Sequence, residues 1–283
     1  MSTAIKNLKD FLSQTDRFAV VEVAATKGST PREVGASMLV SPAATHGTIG
    51  GGQLEYMAID KTRQMLRSGF AGEGTRGTTL DIPLGPEIGQ CCGGRVEVSI
   101  RPGTPAVASA LVERAEADEG ALPHLYILGG GHVGKALAAA CALMPVHAVV
   151  VETRADELEG IAPGVETRLT PMPEEVVRAA PAGSAFAVLT HDHALDFLIV
   201  AEALRRGDAI YVGMIGSKTK KATFRSWFLK TAGGTEAEFS RLVSPIGGET
   251  VKDKRPAVIA ALAAAEIMTA LALHAAPVGH AAH

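Results

Sequence analysis

The sequence predicts an α/β protein: an N-terminal mixed α/β domain over residues 1–120, then a Rossmann-like domain, a doubly wound parallel sheet, over residues 121–283. Three observations carry this expectation. The first is an apolar run, Leu125–Leu128, that reads as a buried strand and leads directly into Gly129-x-Gly131-x-x-Gly134 and an Ala/Leu-rich helical stretch. In that context the first glycine permits the tight turn, the second lets a phosphate approach the main chain, and the third lets the helix close on the strand. The helix start then offers unpaired N–H groups and the positive end of its dipole to an anion. The second observation is the next strand, His147–Val151, ending in Glu152, an acid placed to hold a ribose hydroxyl. The third is that two further strands, Ala185–Leu189 and Ile210–Val212, run into polar loops, Thr190–Asp196 and Gly213–Lys221. Ligands of open α/β sheets sit outside the carboxyl ends of the strands, where these loops fall. The glycine spacing argues for the fold more than for a nicotinamide or flavin, since many such folds bind something else.

From the start of the chain, Ile5, Leu8, Phe11 and Leu12 share one side of a short helix, and Phe18–Ala25 is a strand with β-branched character. The loop Thr26-Lys27-Gly28-Ser29-Thr30-Pro31-Arg32-Glu33-Val34-Gly35 is longer than a hairpin needs. Its hydroxyls, main-chain N–H groups and two cations suit an oxyanion; the plain alternative is a structural loop with solvated charges. Ser37–Ser41 resumes as a strand. Gly47–Gly52 then opens a helix reaching about Ser68, with Leu54, Ala58, Met65 and Leu66 as inner positions. Gly50, Gly51 and Gly52 form an anion nest or serve close packing alone; no Lys followed by Ser or Thr completes a P-loop.

Strands are expected over Thr75–Pro83 and Arg95–Arg101. Between them Leu84–Gly94 carries Cys91 and Cys92 in a glycine-bounded loop. Consecutive side chains on extended backbone point opposite ways, so one thiol can be exposed. Soft sulfur suits soft metals, persulfide chemistry or redox work, whereas a zinc site would need about four ligands. Cys141, inside the helix after Gly134, reads as a small core residue. A helix over Pro105–Asp118 ends in an acidic link, with the domain boundary near residue 120.

Within the second half, Met172–Ala180 reads as a helix. His191, Asp192 and His193 suit a ligand pocket, a metal or proton transfer, with Asp192 equally suited to capping the following helix. Ser217 and Lys218 open another helix able to take an anion, or form a cap before a solvated basic face. Phe224, Trp227 and Phe228 have core spacing. Pro256–Pro277 is apolar enough to imitate a membrane span, but it is mostly alanine with Glu266 in its middle, so a packed helix is expected.

Composition narrows the function. A net charge of −3 and 4% aromatic residues argue against nucleic acid. Three cysteines, two of them adjacent, are no disulfide framework. Lys6, Lys9 and Asp10 interrupt any signal-like run, so the expected location is cytoplasmic.

Taken together, Ala25–Arg32, Gly47–Glu55, Leu84–Gly94, Tyr126–Gly134, Thr190–Asp196, Gly213–Lys218 and Pro245–Gly247 resemble the xanthine dehydrogenase accessory protein family, XdhC with the related CoxI-type proteins. Glu152 stands where such families more often carry Asp, which keeps the acid. The resemblance implies a chaperone without turnover of its own and with no catalytic residue. Its cargo would be the molybdenum cofactor in a molybdopterin form. It would shelter that cargo while a cysteine desulfurase helps replace an oxo ligand by sulfur, then deliver it to the apo molybdenum subunit of xanthine dehydrogenase. The cofactor-binding residues so implied are Lys27, Ser29, Thr30, Arg32, Gly50, Gly51, Gly52, Gln53, Gln90, Cys91, Cys92 and Gly93 in the first domain. In the second they are Gly129, Gly131, His132, Gly134, Glu152, His191, Asp192, His193, Ser217 and Lys218. Cys91 or Cys92 would lie near molybdenum, with no other metal ligand. The N-terminal loops are expected to face the carboxyl ends of the second domain's strands. Neither nucleic acid nor membrane is an expected partner; a homodimer and a nucleotide at the Rossmann site stay open. One competing reading is an NAD(P)-dependent oxidoreductase using Gly129–Gly134 and Glu152, with His191 or His193 as acid/base. It lacks a paired catalytic constellation. Another is a nucleotide-binding sensor. Neither gives the cysteine loop a role.

Overall fold

The computed structural model describes residues 3–70, 77–85, 93–248 and 250–275. The chain divides into two compact units, Met1–Gly120 and Ala121–His283.

Alternating burial shapes the first unit. Its strands are β1 (Ala19–Lys27), β2 (Ser37–Val40), β3 (Thr45–Gly47), β4 (Thr78–Pro83) and β5 (Arg95–Pro102), with helices α1 (Thr3–Ser13), α2 (Gly52–Arg67) and α3 (Pro105–Gly120). The strands form an antiparallel sheet in the order β3-β2-β1-β5-β4. Side chains of a strand alternate between faces. Thus Val21 and Val23 of β1 join Met38, Val96, Val98 and Ile100 against Leu54, Ala58, Met65 and Leu66 of α2. Val20 and Leu39 face the other way, into a smaller cluster with Leu8 of α1 and Leu111 of α3. Register decides where the loops emerge. Lys27 at the end of β1 and Pro83 at the end of β4 both lie opposite Arg95 at the start of β5. Gly47 at the end of β3 lies opposite Met38 near the start of β2. The segments after β1, β3 and β4 therefore leave the same end of the sheet.

The second unit alternates strand and helix: β6 (His124–Leu128), α4 (His132–Cys141), β7 (His147–Glu152), β8 (Glu166–Leu169), α5 (Pro173–Ala179), β9 (Ala185–Val188), α6 (His193–Arg205), β10 (Tyr211–Met214), α7 (Lys218–Lys230), α8 (Glu236–Ser240), β11 (Leu242–Val243) and α9 (Pro256–Ala275). All pairings are parallel, in the order β11-β10-β9-β6-β7-β8. The order reverses between β6 and β9, which makes the Rossmann switch point. Leu125 and Ile127 pack beneath α4 and α9, while Tyr126 and Leu128 pack beneath α5, α6 and α7. Doubly covered strands explain the unbroken apolar runs.

Two expectations need adjustment. The strand read as Ile210–Val212 runs on through Gly213 to Met214. Gly213 fits inside it because the Tyr211 ring lies across its open side, where a Cβ would sit 2.5 Å from the phenol oxygen. The edge strand β8 carried no apolar alternation and was not expected; three of its four residues are exposed. The apolar helix α9 meets the length and composition of a membrane span. It buries Ala260, Ala263, Ala264, Ile267 and Leu271 in the core, and its Glu266 accepts a hydrogen bond from the Tyr211 hydroxyl.

Candidate functional sites and family

In the first unit the sequence-distant loops touch. A Cβ on Gly94 would stand 2.1 Å from the carbonyl oxygen of Ser29 and 2.8 Å from that of Lys27. A Cβ on Gly50 would stand 2.7 Å from Pro31 and 3.5 Å from Cγ of Arg32. The Lys27–Arg32 loop is thus wedged between the glycine run and the returning end of the cysteine loop. That loop is pinched at its base: Leu84 N–H donates to the Gly94 carbonyl at 2.8 Å, and Gly93 N–H donates to the Leu84 carbonyl at 2.9 Å. Gln90, Cys91 and Cys92 lie outside the described residues.

The glycine nest is already filled from within. Glu55 Oε2 accepts the Thr48 hydroxyl at 2.6 Å, Ile49 N–H at 3.1 Å and Gly51 N–H at 3.0 Å. Gly50 N–H donates to the Thr48 hydroxyl oxygen at 3.1 Å. The expected anion-binding N–H groups of Gly50 and Gly51 are therefore spent on the chain's own side chains. The acid four residues into the helix was visible in sequence, but its fold back onto Ile49 and Gly51 was not. Gly52 and Gln53 are exposed at the start of α2. Arg32 pairs with Glu33 at 3.4 Å, and the Thr30 hydroxyl donates to the Arg32 carbonyl at 3.1 Å. Lys27 and Ser29 are exposed.

The second site is the crevice at the switch point. Gly134 allows the close contact its spacing foretells: a Cβ there would lie 1.9 Å from the Gly129 carbonyl oxygen. Gly131 is the N-cap of α4, and no side-chain cap hydrogen bond is made there among the described residues. Among the described residues nothing beyond the adjoining chain stands within 4 Å of a Cβ built on Gly131. His132 begins the helix. Glu152 is 5% exposed at the end of β7. Its Oε2 accepts Gly130 N–H at 2.8 Å; its Oε1 accepts Thr153 N–H at 2.7 Å, the Thr153 hydroxyl at 3.1 Å and Arg154 N–H at 3.1 Å. Burial pushes this carboxyl up, but the N–H donors of Gly130, Thr153 and Arg154 outweigh it and hold it below its usual range.

Across the switch point, His191, Asp192 and His193 are exposed. Asp192 Oδ1 accepts Ala194 N–H at 2.7 Å and Leu195 N–H at 3.3 Å, capping α6. Those N–H groups hold its carboxyl below the usual range. No group of three metal-ligating side chains with suitable geometry occurs among the described residues. Ser217 caps α7 through Lys220 N–H at 3.3 Å, and Lys218 follows it, exposed. Sequence reading missed Asp196 and Lys220. Asp196 Oδ1 accepts Thr190 N–H at 3.1 Å and the Thr190 hydroxyl at 2.6 Å, while Oδ2 takes the Lys220 ammonium. Both belonged to motifs noticed for other members, and only the fold brings them together.

Comparison with known proteins agrees with this architecture. A family model described as the XdhC Rossmann domain matches residues 125–267, and one described as the XdhC and CoxI family matches residues 11–75. The uncharacterized protein YqeB of Escherichia coli (strain K12) is 25% identical over 265 residues, covering 89% of this chain. This chain spans only 43% of the length of that relative. A solved Bacillus halodurans protein described as a xanthine dehydrogenase shares the fold, with a TM-score of 0.79 and 16% identity over 99% of this chain and 98% of that one. The chain belongs to the XdhC and CoxI family, with its second half built as the XdhC Rossmann domain.

Proposed function

We propose that this chain carries the molybdenum cofactor, in a molybdopterin form, during the maturation of a xanthine dehydrogenase in the cytoplasm. It holds the cofactor as cargo while a cysteine desulfurase supplies sulfur, then passes it to the apo molybdenum subunit. Family membership supports the maturation role. The observation that carries the cargo reading is the contact of the Lys27–Arg32 loop with the base of the cysteine loop. It gathers two cations, the exposed Ser29 hydroxyl and the stem of a two-thiol loop within one unit.

The chemistry matches the residue types. An anionic cargo gains charge-assisted hydrogen bonds from Lys27 and Arg32, with Arg32 first exchanging its exposed partner Glu33. Such a surface pair costs little to break. Soft sulfur in Cys91 and Cys92 suits the molybdenum–dithiolene end of the cargo. With Glu55 filling the nest, the cations rather than the Gly50 and Gly51 N–H groups supply most of the attraction.

Equilibrium binding of anaerobically released molybdopterin to the full chain tests this reading. The expected result is saturable binding that weakens roughly tenfold or more in Lys27→Ala and Arg32→Ala, from losing a charge-assisted bond of about 1.5–3 kcal/mol. Uptake unaffected by both changes would move the cargo elsewhere, and no uptake by the unaltered chain would end the reading.

A further inference from the structure

We infer that the switch-point crevice of the second unit is closed to an adenine dinucleotide on its β7 side, and that Glu152 is a clamp on the glycine turn rather than an acceptor of ribose. This inference is independent of the cargo.

In a dinucleotide-binding crevice the acid ending the second strand of the βαβ unit is free to take a ribose hydroxyl. Here Glu152 is buried and already engaged by the glycine turn. A carboxylate offers about four acceptor sites. Four protein donors already engage it: the N–H groups of Thr153 and Arg154 and the Thr153 hydroxyl crowd Oε1, while Oε2, with one lone pair left, is turned onto the glycine turn by Gly130 N–H. The bond from Gly130 spans the gap between acid and turn directly, at 2.8 Å, and Glu152 is 5% exposed.

The segment after β7 closes the same side a second time. The 3-10 turn Ala155–Leu158 lies over the glycine turn, so that a Cβ on Gly130 would stand 2.6 Å from the Glu157 carbonyl oxygen. The Glu157 carboxylate then ties two elements together, taking Arg154 Nη2 at 3.0 Å and Lys135 Nζ at 3.5 Å. Lys135 stands on α4 itself, so the clasp reaches the helix that an incoming pyrophosphate would have to face. Arg154 also pairs with Glu157 in this clasp. Space remains over Gly131 among the described residues, and across the switch point His191 and His193 are exposed after β9. A ligand entering there is one without an adenosine ribose to seat against β7.

Titration of the full chain with NADH, NADPH and ADP-ribose, followed by calorimetry and nicotinamide fluorescence, tests the exclusion. No saturable binding is expected up to about 1 mM, and a dissociation constant below about 100 μM for any of the three would overturn it. Amide exchange tests the clamp on the protein alone. Gly130 and Arg154 N–H groups are expected to be protected in the unaltered chain and to exchange at least about tenfold faster in Glu152→Gln, from the loss of roughly 1.4 kcal/mol or more of local closure. Unchanged protection in that variant would remove the clamp.

Discussion

Asp196 and Lys220 meet with both side chains out of water, 0% and 8% exposed respectively. Their pairing ties α6 to α7, and through Thr190 it also fixes the loop after β9. The Lys220 stem lies against Gly216, where a Cβ would stand 2.7 Å from its Cδ. Removing Lys220 leaves the Asp196 charge buried with only the two Thr190 donors to offset it. Lys220→Met is expected to destabilise the second unit by about 3–5 kcal/mol, measured by denaturant unfolding. The double change Lys220→Met with Asp196→Asn, which keeps an acceptor oxygen for Thr190, is expected to recover part of that loss, because burying both charges carries its own desolvation cost.

The four donors around Glu152 set a pH dependence. Its carboxyl is held below the usual value of 4.5, so its stabilising contribution is complete above that value and disappears as the pH falls through the depressed folded one. Glu152→Gln is expected to cost about 1–3 kcal/mol at neutral pH and to flatten the acid limb of the unfolding profile. Urea midpoints measured from neutral pH down to strong acid check both effects; parallel profiles for the two proteins would contradict them.

Cys141 is 1% exposed, and burial pushes its thiol up to about 11. At pH 8 only ~0.1% of it is thiolate, the form that alkylates. The folded Cys91→Ser, Cys92→Ser double variant is therefore expected to react with iodoacetamide only at the rate of unfolding. Mass spectrometry of a time course checks this.

Tyr211 donates to Glu266 from beneath α9. Burial first, and the Glu266 carboxylate second, push its hydroxyl far above the usual range, so it remains a donor at every working pH. Tyr211→Phe is expected to cost about 1–3 kcal/mol by stranding a half-buried carboxylate, whereas Glu266→Gln keeps an acceptor oxygen and costs less. Thermal unfolding of the two variants should rank them in that order.

What could be read ahead of the structure was whatever is encoded locally. Strand, glycine turn and helix are contiguous over Leu125–Leu137, so their order in sequence is their order in space. The core face of α2 followed from helical spacing alone. The partner of Glu266 could not be read, because Tyr211 is 55 residues away and meets it only once α9 covers β10. The contact of Ser29 with Gly94 likewise follows from the β1–β5 register, which no single stretch contains. Asp192 was ambiguous between cap and ligand because a capping acid and an exposed acid look alike until the helix start is fixed. Glu55 fills the nest from one turn inside α2, a return that no local pattern in the sequence marks.

The most direct test of the carrier role is the content of the protein itself. Isolated without oxygen from a host able to make molybdopterin, the chain is expected to contain pterin, recovered as its fluorescent oxidation product, in near-equal molar amount, with molybdenum present in proportion. A preparation that is folded and thiol-intact yet carries no pterin, and takes none up when supplied, would contradict the account.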